Sequence, residues 1–400
     1  MQNESSQVQI DFFSACEGDC ILVSYNGFNV LVDGGPSCTF DDQLKHRLND
    51  LNSNGEIINR FIVTHIDSDH IGGAVRLLEE NGNNQINEII HIEQIWFNGY
   101  RNLFSPQGSV ELDDRVATFL PHLAPIKIDG GINRMISAKQ GSTLTKLIRE
   151  GGYLLNTDFS GGMITAEADR LVLDCGISID VLSPNQERLE RLKRYWQNEL
   201  SKLKLYCPIS NQPEIEEAFE SLQLLEKKYV MQSDQHEISF NELSIDELSR
   251  LPFHEDLSVT NGSSIGVVLS LGGKQILLLG DAHPSVIIDS LKDRYPGVDY
   301  PIQFDLIKIS HHGSRLNINP ELLSMIDSPR FLISTNGAKH NHPDLQTLAI
   351  IVNRDAQYKR NLIFNYPTVG SKFLQPIELQ RRFKYNVVVN SANAPQRVVL

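Results

Sequence analysis

The chain is short of the features that would place it in several large classes. Its five cysteines (Cys16, Cys20, Cys38, Cys175 and Cys207) form no CxxC pair and are odd in number. That argues against a disulfide framework and for free thiols in a reducing compartment. Cys16 and Cys20 read as small buried residues on or beside the first strands. No apolar run approaches the roughly 20 residues a membrane helix needs, and residues 1–6 lack the basic start and apolar core of a secretory signal. A cytoplasmic protein without membrane contact is expected. Positive charge is also in deficit: 36 Lys and Arg stand against 50 Asp and Glu, a net charge of -14. Such a surface repels nucleic acid as a whole. A polyanionic substrate would have to be drawn by a local charge, and bound cations supply the strongest.

What is present is 400 residues at 40% hydrophobic content, enough for a large core. Short strands are expected at 8–13, 20–25 and 28–32, the last ending in Asp33-Gly34-Gly35, followed by a helix at 41–51. A strand at 60–64 leads to a helix at 74–80, with Gly72 and Gly73 read as a tight turn between them. Further along, a strand at 89–97, a helix at 140–150 and a strand or hairpin at 171–182 are expected. Charged helical sequence follows at 187–205 and 214–228. Strands return at 264–271 and 275–279, joined by Gly272-Gly273 as a hairpin turn, then at 305–309 and 331–334. The segments 387–389 and 398–400 read as an appended strand pair. The pattern predicts two β-rich halves (1–183 and 257–370) around a helical insertion (184–256), with a C-terminal extension (371–400). Arg188, Arg191, Lys193, Arg194, Lys202 and Lys204 make the first inserted helix basic. It is either a solvated face or, with Arg134, Lys139, Lys146 and Arg149, a track for a polyanion.

The chemistry-bearing residues sit just past strand ends. His65, Asp67, Asp69 and His70 crowd the stretch before Gly72-Gly73, where carboxylates and imidazoles need a cation to balance them. Asp281 follows the apolar run from Ile276 and a glycine. His311 and His312 follow the 305–309 strand, and His340 and His342 the 331–334 strand. Their shared placement predicts convergence on one site. Asp19 and Asp33 read as residues that orient ligands. His46, His91, His122, His236, His254 and His283 stand outside these motifs and read as structural.

The order His65-x-Asp67-x-Asp69-His70, then Gly-Asp281, then His311-His312-Gly313 resembles the metallo-β-lactamase superfamily. In detail, Asp11 to Leu22, Leu31-Val-Asp-Gly-Gly35, Asn261-Gly-Ser-Ser-Ile265 and Ile333 through His342-Pro343 are similar to the soluble hydrolase domain of ComEC-type DNA-uptake proteins. The resemblance implies an α/β fold, the αββα sandwich, with two divalent ions, zinc or manganese or magnesium. It implies metal ligands at His65, Asp67, Asp69, His70, Asp281 and His312, with His311 and Asn261 as further candidates. Asp69, Lys308 and His342 become the catalytic candidates. Two departures stand out: Asp67 replaces the family's commonest second histidine, and Asn261 stands where many members place another. Both favour oxygen donors at the first subsite. The leading expectation is a phosphodiesterase or nuclease with DNA or RNA as substrate; no protein partner is indicated. A hydrolase of a small nucleotide or carbonyl compound, or a non-enzymatic partner-binding module, are the alternatives.

Overall fold

A computed structural model describes residues 7–103, 144–173, 176–202, 244–355, 357–390 and 395–400. Period-2 alternation in the first strands decides the layering. In β1 (Gln9–Phe12), β2 (Ile21–Tyr25), β3 (Phe28–Val32) and β4 (Arg60–Ile62), side chains such as Ile10, Phe12, Ile21, Val23, Val30, Val32 and Ile62 face one way. Leu22, Leu31 and Phe61 face the other. A strand hydrophobic on both faces must be covered on both. The inner set packs against Val267, Leu269, Ile276, Leu278, Leu306 and Leu332 of a second sheet, while the outer set packs under the helices Lys45–Ser53, Ser68–Asn81 and Leu144–Glu150.

The remaining strands are β5 (Ile95–Trp96), β6 (Leu171–Val172), β7 (Ser178–Ser183), β8 (Gly266–Leu271), β9 (Lys274–Leu278), β10 (Ile302–Gln303), β11 (Leu306–Lys308), β12 (Ile326–Asp327), β13 (Arg330–Ile333), β14 (Arg360–Phe364), β15 (Tyr385–Val389) and β16 (Gln396–Val399). The first sheet runs β16-β1-β2-β3-β4-β5, the second β15-β14-β13-β11-β9-β8-β7-β6, and β10 pairs with β12. Helices Pro284–Arg294, Pro320–Met325 and Leu345–Val352 cover the outer face of the second sheet. The result is the expected αββα sandwich. Among the described residues no helix is long and apolar enough to cross a membrane.

Several local expectations are corrected. The final segments do not pair with each other: β15 joins β14 in the second sheet, and β16 joins β1 in the first. Only Ile95–Trp96 of the 89–97 strand forms a ladder, because Asn81 and Asn84 side chains take the backbone groups of residues 89, 90 and 92. The 187–205 helix is seen as Gln186–Lys202; residues 203–243, including the predicted 214–228 helix and Lys204, lie outside the described residues. Arg134 and Lys139 also lie outside them.

Gly72 and Gly73 make no turn; they lie inside the Ser68–Asn81 helix. Their role is close approach. A Cβ on Gly73 would stand 2.0 Å from the Gly34 carbonyl oxygen, and one on Gly34 would stand 2.3 Å from the Ala74 nitrogen. Gly34 N–H donates to the His70 carbonyl at 3.0 Å, so this contact holds the helix start against the end of β3. Gly73→Ala is expected to destabilise the fold by about 1–3 kcal/mol or more through overpacking, read as a lowered urea midpoint. Unchanged stability would show that the backbones can separate without cost.

Candidate metal centre

Parallel pairing brings the chemistry to one edge. The strands β9, β11 and β13 run parallel, as do β3 and β4, so Asp33, His65, Asp281, His311 and His312 emerge together from strand C-terminal ends. The Ile265 N–H donates to the Thr64 carbonyl at 2.9 Å and joins the two sheets at this edge. Asp67 caps the Ser68–Asn81 helix, which puts Asp69 and His70 in its first turn.

Asp281, fully buried, stands at the middle. Its Oδ2 lies 3.7 Å from His65 Nε2 and 3.6 Å from His311 Nε2. Its Oδ1 lies 3.5 Å from His70 Nε2 and 3.8 Å from His312 Nε2. Asp67 Oδ2 is 2.8 Å from His65 Nε2, and Asp69 Oδ2 is 3.6 Å from His312 Nε2. Each oxygen of one carboxylate therefore faces two imidazoles, with a further carboxylate beside each pair.

The opposite nitrogens of His65, His70 and His311 are tied from behind, and this fixes what faces inward. His70 Nδ1 lies 2.7 Å from Asp33 Oδ2, an acceptor, so Nδ1 carries the proton. Thr64 donates its hydroxyl to Asp33 at 2.8 Å and so accepts from His65 Nδ1 at 3.0 Å. Asn317 donates its amide to Asp256 Oδ2 and the Asp281 carbonyl at 3.2 and 3.1 Å, which leaves its oxygen to accept from His311 Nδ1 at 2.8 Å. In each neutral ring Nε2 is then a bare lone pair, and His65 presents one to a carboxylate oxygen at 2.8 Å. Two acceptors this close repel unless positive charge lies between them.

Divalent cations fit these donors. His70 Nε2, His312 Nε2 and Asp281 Oδ1 are buried and have no hydrogen-bond partner, and imidazoles with carboxylates are the donor set of zinc and manganese. Protons take the cations' part in the bare protein. Burial alone would lower His70 and His312, but Asp281 with Asp33, and Asp281 with Asp19, outweigh it and raise them to about 10 and about 9. Burial lowers His311 to about 4. Burial works against ionisation of Asp281 too, yet the four imidazoles hold it well below the usual carboxylate range.

Both adjacent histidines reach the centre, although an extended backbone would turn them apart. His311 and His312 sit at φ 45° and 55°, consecutive left-handed residues that aim both rings at Asp281. Asp19 also lies within ligand range of His70, Asp281 and His312. It approaches His312 from the Nδ1 side at 3.5 Å and pairs with Lys308, whereas Asp69 stands on the Nε2 side. We therefore read Asp19 as orienting the ring.

One candidate is placed differently from expectation. Lys308 is fully buried, with its ammonium on Asp19 and the Gly280 carbonyl, so it is held behind the site and cannot meet a substrate. Asn261 turns its amide nitrogen to Asp256 Oδ2 at 2.6 Å, and its buried Oδ1 has no hydrogen-bond partner, so its candidate ligand atom stays unclaimed. His342 lies beside His311, ring centroids 5.4 Å apart, with Nδ1 3.4 Å from Asp344 Oδ2; His340 stacks on it at the exposed rim. Asp256 and Asn317, which position His311, carried no recognisable signal, since neither follows a strand nor belongs to a motif.

Residues 14–143 match the family model described as the metallo-beta-lactamase superfamily. No curated protein matches the chain. Similar solved structures include the metallo-beta-lactamase fold protein YhfI from Bacillus subtilis, at 9% identity and TM-score 0.38, covering 98% of this chain and 100% of that one. Zn(2+)-bound PqqB from Methylobacterium extorquens is 9% identical at TM-score 0.36, again covering 98% and 100%. A putative metal-dependent hydrolase from Parabacteroides distasonis is 7% identical at TM-score 0.32, covering 96% and 93%.

Proposed function

We propose that this chain, which carries metallo-β-lactamase superfamily sequence over residues 14–143, is a metal-dependent phosphodiesterase acting on DNA or RNA. The observation that carries the reading is the division of Asp281 between two donor sets. His65, Asp67, His311 and Asp281 Oδ2 would hold one cation; Asp69, His70, His312 and Asp281 Oδ1 would hold the other. Two such ions, when bound, neutralise phosphoryl oxygens and make a nearby water acidic. His311 restores the second nitrogen donor that Asp67 and Asn261 removed, which brings zinc level with manganese and ahead of magnesium. Asp69, partly open to solvent, is placed to orient the attacking water and take its proton. His342, beside Asp344, is the candidate to give a proton to the leaving oxygen. The likeness to ComEC-type hydrolase motifs supports a phosphodiester as the scissile group.

One observation favours a small substrate instead. On the Gln186–Lys202 helix, Arg191 pairs with Glu187 at 2.6 Å, Lys193 lies 3.8 Å from Glu190, and Arg188 is turned to Glu255. These cations are matched within the protein rather than gathered into a track.

A panel of single-stranded DNA, duplex DNA, RNA and bis-nitrophenyl phosphate with added zinc, manganese or magnesium tests the proposal. Salt-sensitive cleavage of a polymer is expected. Turnover of the chromogenic diester alone would move the reading to the small substrate, and no turnover with any metal would overturn both. His342→Asn is expected to slow polymer cleavage about 10²-fold while sparing the nitrophenyl ester, whose leaving group needs no proton. Equal losses on both would remove His342 as the acid.

A further inference from the structure

Cys16 is not a buried strand residue. It lies half-buried in the turn between β1 and β2, at φ 53°, and its Sγ is 3.9 Å from that of Cys38, which is exposed in the short helical turn Ser37–Thr39. Neither thiol belongs to the metal centre. The Cys16 backbone is clamped on both sides: its N–H donates to Tyr366 Oη at 3.1 Å, and its carbonyl accepts from the Asn336 N–H at 2.7 Å. A non-glycine residue held in the left-handed region needs such support. The clamp holds one sulfur still against a second that is free to rotate in solvent.

We infer that Cys16 and Cys38 form an oxidation site, in which Cys16 attacks a peroxide and Cys38 closes a disulfide. The Cys16 sulfur attacks one peroxide oxygen; an S–O bond forms, the O–O bond breaks, and the departing hydroxide leaves as water. The Cys38 sulfur then attacks the Cys16 sulfenic acid, forming S–S and breaking S–O, and its proton leaves with the hydroxyl as a second water. Two electrons pass from the sulfurs to the peroxide, and two thiols become one disulfide. The sulfurs must close to about 2.05 Å. Cys38, exposed at the start of its turn, is the partner able to move.

The electrostatics divide the roles the same way. The contact between the two thiols, in which either sulfur can donate, is the main cause that lowers Cys16 to about 7, with Tyr366 helping and burial opposing, and the same contact pushes Cys38 far up. Cys16 is then the nucleophile and Cys38 the resolving thiol. Cys20, only four positions on, is fully buried and raised well above its usual value, so it takes no part.

The full-length protein, treated with hydrogen peroxide, alkylated and digested, gives the test. The expected product is a peptide pair joined through Cys16 and Cys38, reversed by dithiothreitol, within one chain. Cys16 should react about threefold faster at pH 7 than a thiol of pKa about 8.5, the gain in thiolate being partly offset by lower nucleophilicity. In Cys38→Ser, Cys16 should accumulate as a sulfenic acid trapped by dimedone. A disulfide between other cysteines, a cross-link between chains, or Cys16 left reduced while other thiols oxidise would overturn the inference. The wild-type linkage decides the matter even if the variant folds poorly.

Discussion

Asp281→Asn protein is expected to retain fewer than one divalent ion per chain, against the two proposed for the parent, and to lose hydrolysis by a factor on the order of 10³ or more. Among the described residues no other side chain serves both donor sets: its two oxygens lie 3.5–3.8 Å from four imidazole nitrogens. The amide keeps the shape but removes the charge, and one of its two atoms becomes a donor facing rings that need to donate to nothing. Metal analysis after dialysis, beside the diester assay, separates this from unfolding, because the Asp281 N–H bond to Ser264 Oγ at 2.9 Å survives the change. Two ions retained with full activity would show that Asp281 is not shared. A single ion in the fully active parent would leave a mononuclear site and overturn the two-cation clamp.

Arg360→Met is expected to cost up to about 3–5 kcal/mol, the penalty for taking from a buried carboxylate the partner that holds it by two bonds. Arg360 is fully buried at the start of β14 and grips Asp327 with two bonds, Nε to Oδ1 at 3.0 Å and Nη2 to Oδ2 at 2.7 Å. Arg354 adds a third at 3.0 Å. Burial would raise the Asp327 carboxyl, but the Arg360 bonds and the Arg354 charge outweigh it and hold it below its usual value. A lowered folded value means that the stabilisation is complete above the unfolded pKa of about 4 and fades as pH falls through the folded one. The wild type should therefore lose this increment only in acid, whereas Arg360→Met should start without most of it at pH 7. Paired urea titrations at pH 7 and pH 3 measure both. The doubly apolar Asp327→Leu/Arg360→Met protein should recover much of the loss, since Arg354 keeps the carbonyls of Leu323 and Ile326. If the double variant is as unstable as the single one, the deficit comes from packing and not from the stranded charge.

The strand-end placement of His65, Asp281, His311 and His312 was legible because β-strands announce themselves by alternation, and the residue after the last apolar position is displayed at an edge. The four-layer sandwich followed from the same runs. What could not be read depends on backbone detail that pattern does not encode. Gly72-Gly73 looks like a turn by composition, yet the same missing Cβ serves a helix pressed onto Gly34. Lys308 alternates correctly toward the site, but only the fold shows that Asp19, 289 residues away, takes its charge. Nothing in His-His reveals two successive left-handed residues. Asp256 and Asn317 act through an amide relay, which needs coordinates to see.

The pairing of β16 with β1 bears on the order of assembly. Asp11 and Arg397 meet across 386 residues, the ladder running from Gln9 opposite Val399 to Phe12 opposite Gln396. During synthesis β1 can hydrogen-bond to β2 at once, but its other edge must wait until residues 396–399 have been made. Contacts of such separation form late and slow the overall rate. Until then the first sheet keeps one strand edge open, a template for pairing with the wrong strand.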